Sequence, residues 1–286
     1  MKKYLSLVLF AHTIFAMPFA FIGFFLALTT TDNTFNWMLL VFMILCMIFA
    51  RNAAMAFNRY LDRNFDAQNP RTVARDIPAG RIPAKNALLF TIINCVLFVF
   101  TTYFINPLCF YLSPVALAVI LGYSFTKRFT PLCHLILGIG LGLAPIGAYL
   151  VVTGEFALLP IFFSLAVVCW VSGFDIIYSL QDDEFDKSAN LYSIPAVLGR
   201  KKALLVSSVL HVLSVVFLII PLFITQLGGF YMSGIIFFIG LLIYQHRLVK
   251  PNDLSKVNLA FGTTNGIASV IFAIFVLLDI YFRTKF

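Results

Sequence analysis

Long apolar runs broken by short polar segments organise this chain from end to end. Nine runs are long and apolar enough to cross about 30 Å of hydrocarbon, a distance that takes about 20 helical residues. They lie near residues 5–29, 37–57, 87–105, 107–124, 132–152, 157–178, 203–224, 229–248 and 264–282. Only Asn106-Pro107 separates the third from the fourth, so that boundary is the softest. Every run is predicted to be a helix, because lipid offers no partner to an unpaired backbone group and the chain lacks the alternating pattern of a membrane barrel. The expectation is an all-α, polytopic membrane protein: one transmembrane domain over residues 1–286. The first run follows two lysines like a signal peptide. It continues to about Leu28, however, too long for an apolar signal core, and is read as a retained span.

Composition agrees. Hydrophobic residues make up 61% of the 286 and charged residues only 11%, against about 25% charged in a soluble domain. So few charges cannot cover a water-facing surface. Disorder, a disulfide scaffold and a nucleic-acid module are excluded, and no obligate protein partner is evident. Cys46, Cys95, Cys109, Cys133 and Cys169 all sit in apolar runs without a CxxC pair, so neither a disulfide framework nor a zinc site follows.

Charge placement sets the orientation. With nine spans, the N-terminus and the even-numbered connections share one side, and that side carries seventeen of the twenty basic residues. The odd-numbered connections carry none. Lys and Arg concentrate on the cytoplasmic face, so the N-terminus is expected inside and the C-terminus outside.

Acidic residues locate the chemistry. Eight of the twelve fall in two places: Asp62, Asp66 and Asp76 after the second run, and Asp175, Asp182, Asp183, Glu184 and Asp186 around the end of the sixth. Asn58, Asp62 and Asp66 recur every four residues, as do Tyr178, Asp182 and Asp186. If each helix continues past the membrane, these positions stack on one face as short ladders. Like charges so spaced repel by a few tenths of a kcal/mol, so a cation is expected between them. Both ladders leave even-numbered runs and can face each other. Magnesium keeps few carboxylates and completes its shell with phosphate oxygens. Two facing ladders with Lys and Arg nearby therefore suit a Mg-bound diphosphate. One DxxxD at a helix end is an ordinary solvated face; two on one side of so acid-poor a chain favour a joint site. The ladders also match at a constant offset of 120, each followed by a related phrase (Asn69 and Ile77-Pro78-Ala79; Asn190 and Ile194-Pro195-Ala196). Two related helical halves are a familiar membrane architecture.

The pair NxxxDxxxD (Asn58, Asp62, Asp66) and DxxYxxxDxxxD (Asp175, Tyr178, Asp182, Asp186) resembles the two Asp-rich motifs of the UbiA superfamily of intramembrane aromatic prenyltransferases. Tyr123-Ser-Phe-Thr-Lys127-Arg128-Phe-Thr130 is similar to that family's YxxxKRxT segment, and Leu143–Ala148 also has its counterpart. The resemblance covers roughly residues 10 to 280. It implies nine helices around a central cavity, capped by loops at about 58–86 and 179–202. Asn58, Asp62, Asp66, Asp175, Asp182 and Asp186 would hold two Mg2+ ions bridging a polyprenyl diphosphate. Lys127 and Arg128, with Arg71, would hold the diphosphate directly, and Tyr123 and Tyr178 are hydroxyl partners. The implied reaction is loss of diphosphate and attack on the allylic cation by a ring carbon ortho to a phenol. Aromatic faces, from 33 Phe, can shield that cation, although any individual Phe is read first as lipid-compatible filler. The implied location is a bacterial inner membrane with the site facing the cytoplasm.

The segments Ala50–Arg59 and Asp66–Thr72 look like the 4-hydroxybenzoate polyprenyltransferase group, and more particularly a branch that prenylates a dihydroxynaphthoate for menaquinone. The ubiquinone-pathway enzymes tend to read NDxxD where this chain has Asn58-Arg59. Both acceptors are phenolic carboxylates; a haem-farnesylating enzyme is a further alternative within the superfamily. Arg51 precedes Asn58 by seven residues, about 10 Å of helical rise, and an arginine in lipid is costly and functional. It is expected to pair with the acceptor's carboxylate, the alternatives being an ion pair with Asp175 or a snorkelling side chain. His12, His134, His211 and His246 share no metal spacing and are read as structural. Gly138, Gly140 and Gly142 are expected to allow close helix packing. The non-enzyme alternative, a transporter, calls for carboxylates near the midplane, whereas all but Asp175 are expected at helix ends.

Overall fold

The computed structural model describes residues 15–225 and 227–284, together with Leu7. It is helical throughout, with no strand among the described residues. The elements are α1 (Met17–Thr30), α2 (Trp37–Leu61), α3 (Arg63–Gln68), α4 (Ala84–Tyr103), α5 (Pro107–Thr126), α6 (Cys133–Thr153), α7 (Leu158–Ser179), α8 (Asp183–Ser188), α9 (Ile194–Leu198), α10 (Arg200–Ile219), α11 (Pro221–Ile224), α12 (Gly229–Leu248) and α13 (Asn265–Thr284). A 3₁₀ turn, Leu180–Asp182, joins α7 to α8, and a π-helical turn, Leu259–Thr264, leads into α13.

Eight helices among the described residues are long and apolar enough to cross a membrane. The first expected span is described from Met17 onward as α1, which is shorter; most of its N-terminal part lies outside the described residues, as do Lys2, Lys3, His12 and Lys285. The soft boundary between the third and fourth runs is a true break. Asn106 is extended and its side chain accepts the Cys109 N–H, capping α5, whose first residue is Pro107. A proline there loses nothing, because a first-turn N–H has no helical partner.

The two sides of the bundle are packed differently. On one, α7, α12 and α13 close around large aromatic side chains: Phe163, Trp170, Tyr231, Phe238 and Phe272 are fully buried, with Phe19 of α1 among them. On the other, α1, α2 and α6 meet through smaller residues such as Ala20, Met43, Ala144 and Ala148. Close backbone approach holds α6 against α7. A Cβ at Gly138 would lie 2.4 Å from Ser172 Oγ and 2.5 Å from the Val168 carbonyl, and one at Gly142 would lie 2.6 Å from Val168 Cγ2. Small residues permit such approach where lipid supplies no hydrophobic drive. Gly140 differs from the expectation for this trio. A Cβ there would come no closer than 4.0 Å to a neighbour, because Gly140 faces a cavity instead of a helix.

That cavity, 370 Å³, is bounded by α2, α4, α5 and α6. Its wall runs from Arg51 and Tyr123 at one end to Ile105, Cys109 and Phe156 at the other. It is lined mainly by Met, Ala, Leu, Ile, Val and Gly. Among the described residues, only Phe98, Tyr123 and Phe156 bring rings to this wall, whereas most of the fully buried large rings lie in the packed half, where flat bulky groups fill space between helices.

Candidate active site

α2 delivers the first ladder. Asn58 donates from Nδ2 to Asp62 Oδ2 at 3.1 Å. The helix breaks at Asp62 and restarts as α3, which carries Asp66. α7 delivers Asp175 and Tyr178, the 3₁₀ turn Asp182, and α8 Asp186. The segment after α5 supplies Lys127 and Arg128. All twelve residues singled out in the sequence lie on these elements, the cavity wall or the loop after α3.

The carboxylates are neutralised one at a time. Arg128 Nη2 donates to Asp62 Oδ1 at 2.8 Å, and Arg75 Nη1 donates to Asp66 Oδ1 at 2.6 Å. Arg71 holds Asp182 through Nε (2.8 Å) and Nη2, while its Nη1 donates to the Tyr178 hydroxyl at 2.9 Å. Lys127 Nζ stands 2.7 Å from Asp186 Oδ1, and Ser193 Oγ donates to Oδ2 at 2.8 Å. Asn69 Nδ2 adds a bond to Asp182 Oδ1 at 2.9 Å. The pairing has a simple cause: a carboxylate removed from water needs a counter-charge at contact distance. Asp66, Asp182 and Asp186 are all buried.

Two consecutive residues, Lys127 and Arg128, therefore join the ladders, one taking Asp186 and the other Asp62. Arg71, from the loop after α3, crosses to the second ladder as well. Both stretches lie at one end of the bundle, as the parity of the connections requires. Burial pushes the Asp62 carboxyl above its ordinary value, and Arg128 reverses this only in part. Burial works against the Lys127 ammonium, but Asp186 more than offsets it and the group is held up. Burial likewise opposes Arg71, yet its bonds to Asp182 and Tyr178 raise it further.

Arg51 lines the cavity with Tyr123. Its Nε is buried without a hydrogen-bond partner, and it makes no ion pair with Asp175. Tyr123 has Asp62, Asp175 and Arg51 as electrostatic neighbours. Asp175 is bonded instead to His134, whose Nδ1 is 2.6 Å from Oδ2.

As the side chains stand, no three of the described His, Cys, Asp and Glu residues converge on one point as a metal cage; each ladder carboxylate faces a base. The donor set nevertheless fits a hard divalent cation. It is all oxygen, which suits Mg2+ and not a thiolate or imidazole metal. Asp66 Oδ2 is buried and takes no hydrogen bond, a costly arrangement that an incoming cation would relieve.

Sequence reasoning missed three neighbours of the site. Arg75 reaches Asp66 only because the loop after α3 folds back. His134 bonds a carboxylate 41 positions away. Phe261, on the π-helical turn, stacks on Tyr178 with ring centroids 4.1 Å apart, and the Arg71 guanidinium lies 5.1 Å from the same Tyr178 ring. π-helical turns inside spans often mark functional positions, but periodicity does not reveal them.

These features define a polytopic membrane protein whose site can take an anionic head group at the mouth of an apolar cavity. The chain belongs to the UbiA prenyltransferase family, whose sequence model matches residues 16–276, and it is a transferase. It is 30% identical over 242 residues, 84% of each chain, to the 4-hydroxybenzoate octaprenyltransferase of Photobacterium profundum. It is 29% identical over 238 residues to that of Aeromonas hydrophila, covering 83% of this chain and 82% of the relative. Among solved structures, a UbiA homolog from Aeropyrum pernix superposes with a TM-score of 0.80 at 29% identity, over 96% of this chain and 98% of the other. A UbiA homolog from Archaeoglobus fulgidus bound to DMAPP and Mg2+ shares the fold, with a TM-score of 0.76 at 21% identity over 98% and 99% of the two chains.

Proposed function

We propose that this protein transfers a polyprenyl group from its diphosphate to a ring carbon of a phenolic carboxylate, in the manner of 4-hydroxybenzoate polyprenylation, with Mg2+ as cofactor. The observation that carries the reading is the Lys127-Arg128 pair, which draws the two ladders together beside the cavity end marked by Tyr123 and Arg51. The relatives named as 4-hydroxybenzoate octaprenyltransferases, and the neighbour bound to DMAPP and Mg2+, support the same substrates.

Asn58, Asp62 and Asp66, with Asp182 and Asp186, would hold the metal; Asp175, expected from the sequence in the same set, is bonded to His134 and is left out of it. Bound there, Mg2+ would supply positive charge to the diphosphate leaving group. Lys127, Arg128 and Arg71 are donors that exchange a carboxylate for phosphate oxygens, and guanidinium groups do so bidentately. Because these groups are already in place, they favour the charge that develops on the departing oxygens. Tyr178 orients Arg71, and Tyr123 lies between ladder and cavity. The cavity takes the isoprenoid chain and keeps water from the allylic carbon. Arg51 pairs with the acceptor's carboxylate. The whole chain acts as one transmembrane domain in a bacterial inner membrane, with the ladders on the cytoplasmic side where basic residues concentrate.

Asn58-Arg59, where the ubiquinone-pathway enzymes tend to read NDxxD, leaves dihydroxynaphthoate as a second acceptor of the same class. Purified protein, Mg2+ and geranyl diphosphate, incubated with 4-hydroxybenzoate, a dihydroxynaphthoate and haem, should give a geranylated phenolic acid by product mass. Prenylated haem, or no diphosphate release at all, overturns the reading.

A further inference from the structure

Asp175 differs from the other carboxylates of the site in its partner. Asp62, Asp66, Asp182 and Asp186 each meet a Lys or Arg, whereas Asp175 meets an imidazole at 2.6 Å. The ring's tautomer is set from its far side. The Ile194 backbone N–H, at the start of α9, donates to His134 Nε2 at 3.3 Å. Nε2 is thus the acceptor, and the ring proton sits on Nδ1, from which it is donated to Asp175. Ser172 Oγ of α7 also donates to the His134 carbonyl at 3.1 Å. Elements α6, α7 and α9 therefore hold the ring, which is 3% exposed, while the Asp175 side chain keeps 22% of its surface open.

This geometry has a chemical consequence. The imidazole anchors Oδ2 and leaves the Asp175 side chain partly open. Asp175 lies seven residues before Asp182, about 10 Å of helix toward the membrane interior, and is an electrostatic neighbour of Tyr123, which lines the cavity end with Arg51. A carboxylate held on one oxygen and partly open can there accept a hydrogen bond from a hydroxyl.

We propose that His134 is a positioning residue, which holds Asp175 so that its carboxylate accepts the hydrogen bond of the acceptor's phenolic hydroxyl. This rests on the phenolic-acceptor reading above. The acceptor is then gripped by chemistry of opposite kinds: its carboxylate by Arg51 and its hydroxyl by Asp175.

Two substitutions separate positioning from mere structure, because each keeps one of the ring's two hydrogen bonds. His134→Asn places an amide N–H where Nδ1 stands and keeps Asp175. His134→Gln reaches the place of Nε2, keeps Ile194 and releases Asp175. With geranyl diphosphate and 4-hydroxybenzoate, His134→Asn should stay close to the wild type. His134→Gln should lose about 100-fold in acceptor kcat/KM, the scale of a misplaced reacting group, with the donor KM unchanged. Asp175→Asn should add nothing to that loss in the double variant. Equal damage in both histidine variants, or an unimpaired His134→Gln, overturns the role. A wild type that prenylates no phenolic acid removes the acceptor reading, and this role with it; a wild type that does so beside an unimpaired His134→Gln removes the role alone. Should the variants fail to fold, 15N-histidine NMR of the wild type decides. The His134 Nδ1–H signal should move with 4-hydroxybenzoate and not with inorganic diphosphate, and a signal that ignores 4-hydroxybenzoate overturns the proposal.

Discussion

Asp62 and Asp182, 120 positions apart, adopt nearly the same backbone conformation, φ −88° and ψ 4° in one, φ −110° and ψ 3° in the other. Each closes one helical segment and opens a six-residue helix that carries the next ladder carboxylate. The bridge region they occupy is sparsely allowed and recurs at active sites. A straight helix through each ladder was the simpler expectation; the break turns the following carboxylate without wholly losing the helical bonds. Asp62 N–H still reaches the Asn58 carbonyl at 2.9 Å, and Asp66 N–H that of Asp62 at 2.8 Å. The shared break adds weight to the offset of 120 as a relic of two related halves.

The paired break predicts paired chemistry. Asp62→Asn and Asp182→Asn are isosteric and should fold, yet each should lower prenyl transfer by about 10³-fold if these carboxylates steady the leaving group. Chelation of divalent ions with EDTA should abolish turnover, and added Mg2+ should restore it. Transfer that continues in EDTA removes the metal from the account.

Arg51 should act on one substrate alone. Its buried Nε lacks a partner, so Arg51→Leu should raise the acceptor KM by about 10- to 100-fold, the loss of a charge-assisted bond of about 1.5–3 kcal/mol, and leave the donor KM in place. A change confined to the donor constant would place Arg51 on the diphosphate instead.

Gly147 should set the donor length. It lines the cavity, and a Cβ there meets nothing within 4 Å. Gly147→Phe should fold, retain turnover of geranyl diphosphate, and lose long-chain donors; chain-length profiles of wild type and variant test this. Equal losses for short and long donors would mean that the chain runs elsewhere.

The glycines of α6 should divide by stability. Gly138→Ala meets the Val168 carbonyl and Ser172 Oγ at under 3 Å and should cost about 1–3 kcal/mol, as overpacking does. Gly140→Ala faces the cavity and should be nearly neutral. Thermal unfolding in detergent compares them, and equal midpoints would contradict the close α6–α7 contact.

Much of this protein was legible in order of residues. The apolar runs follow from the need to bury every backbone bond in lipid, and the helices fall where they were expected from the second run onward. The two ladders were visible because acids are so scarce that their spacing stands out. Their partners were not. Which base meets which carboxylate depends on how Lys127 and Arg128 emerge from α5 and how the loop after α3 folds back, and neither has a periodic trace. The aromatic residues are a related case: composition counts them but does not say which side of the bundle they fill.

The sequence by itself determined the solvent, the helical class and the end of the bundle where charge gathers, because lipid penalises polar groups wherever they stand along the chain. Tertiary structure alone decided that Asp175 belongs to His134, that Gly140 opens on a cavity while Gly138 and Gly142 close a helix contact, and that Phe261 lies on Tyr178. Such pairings depend on distances of a few ångströms between helices remote in sequence, which packing settles and local pattern does not.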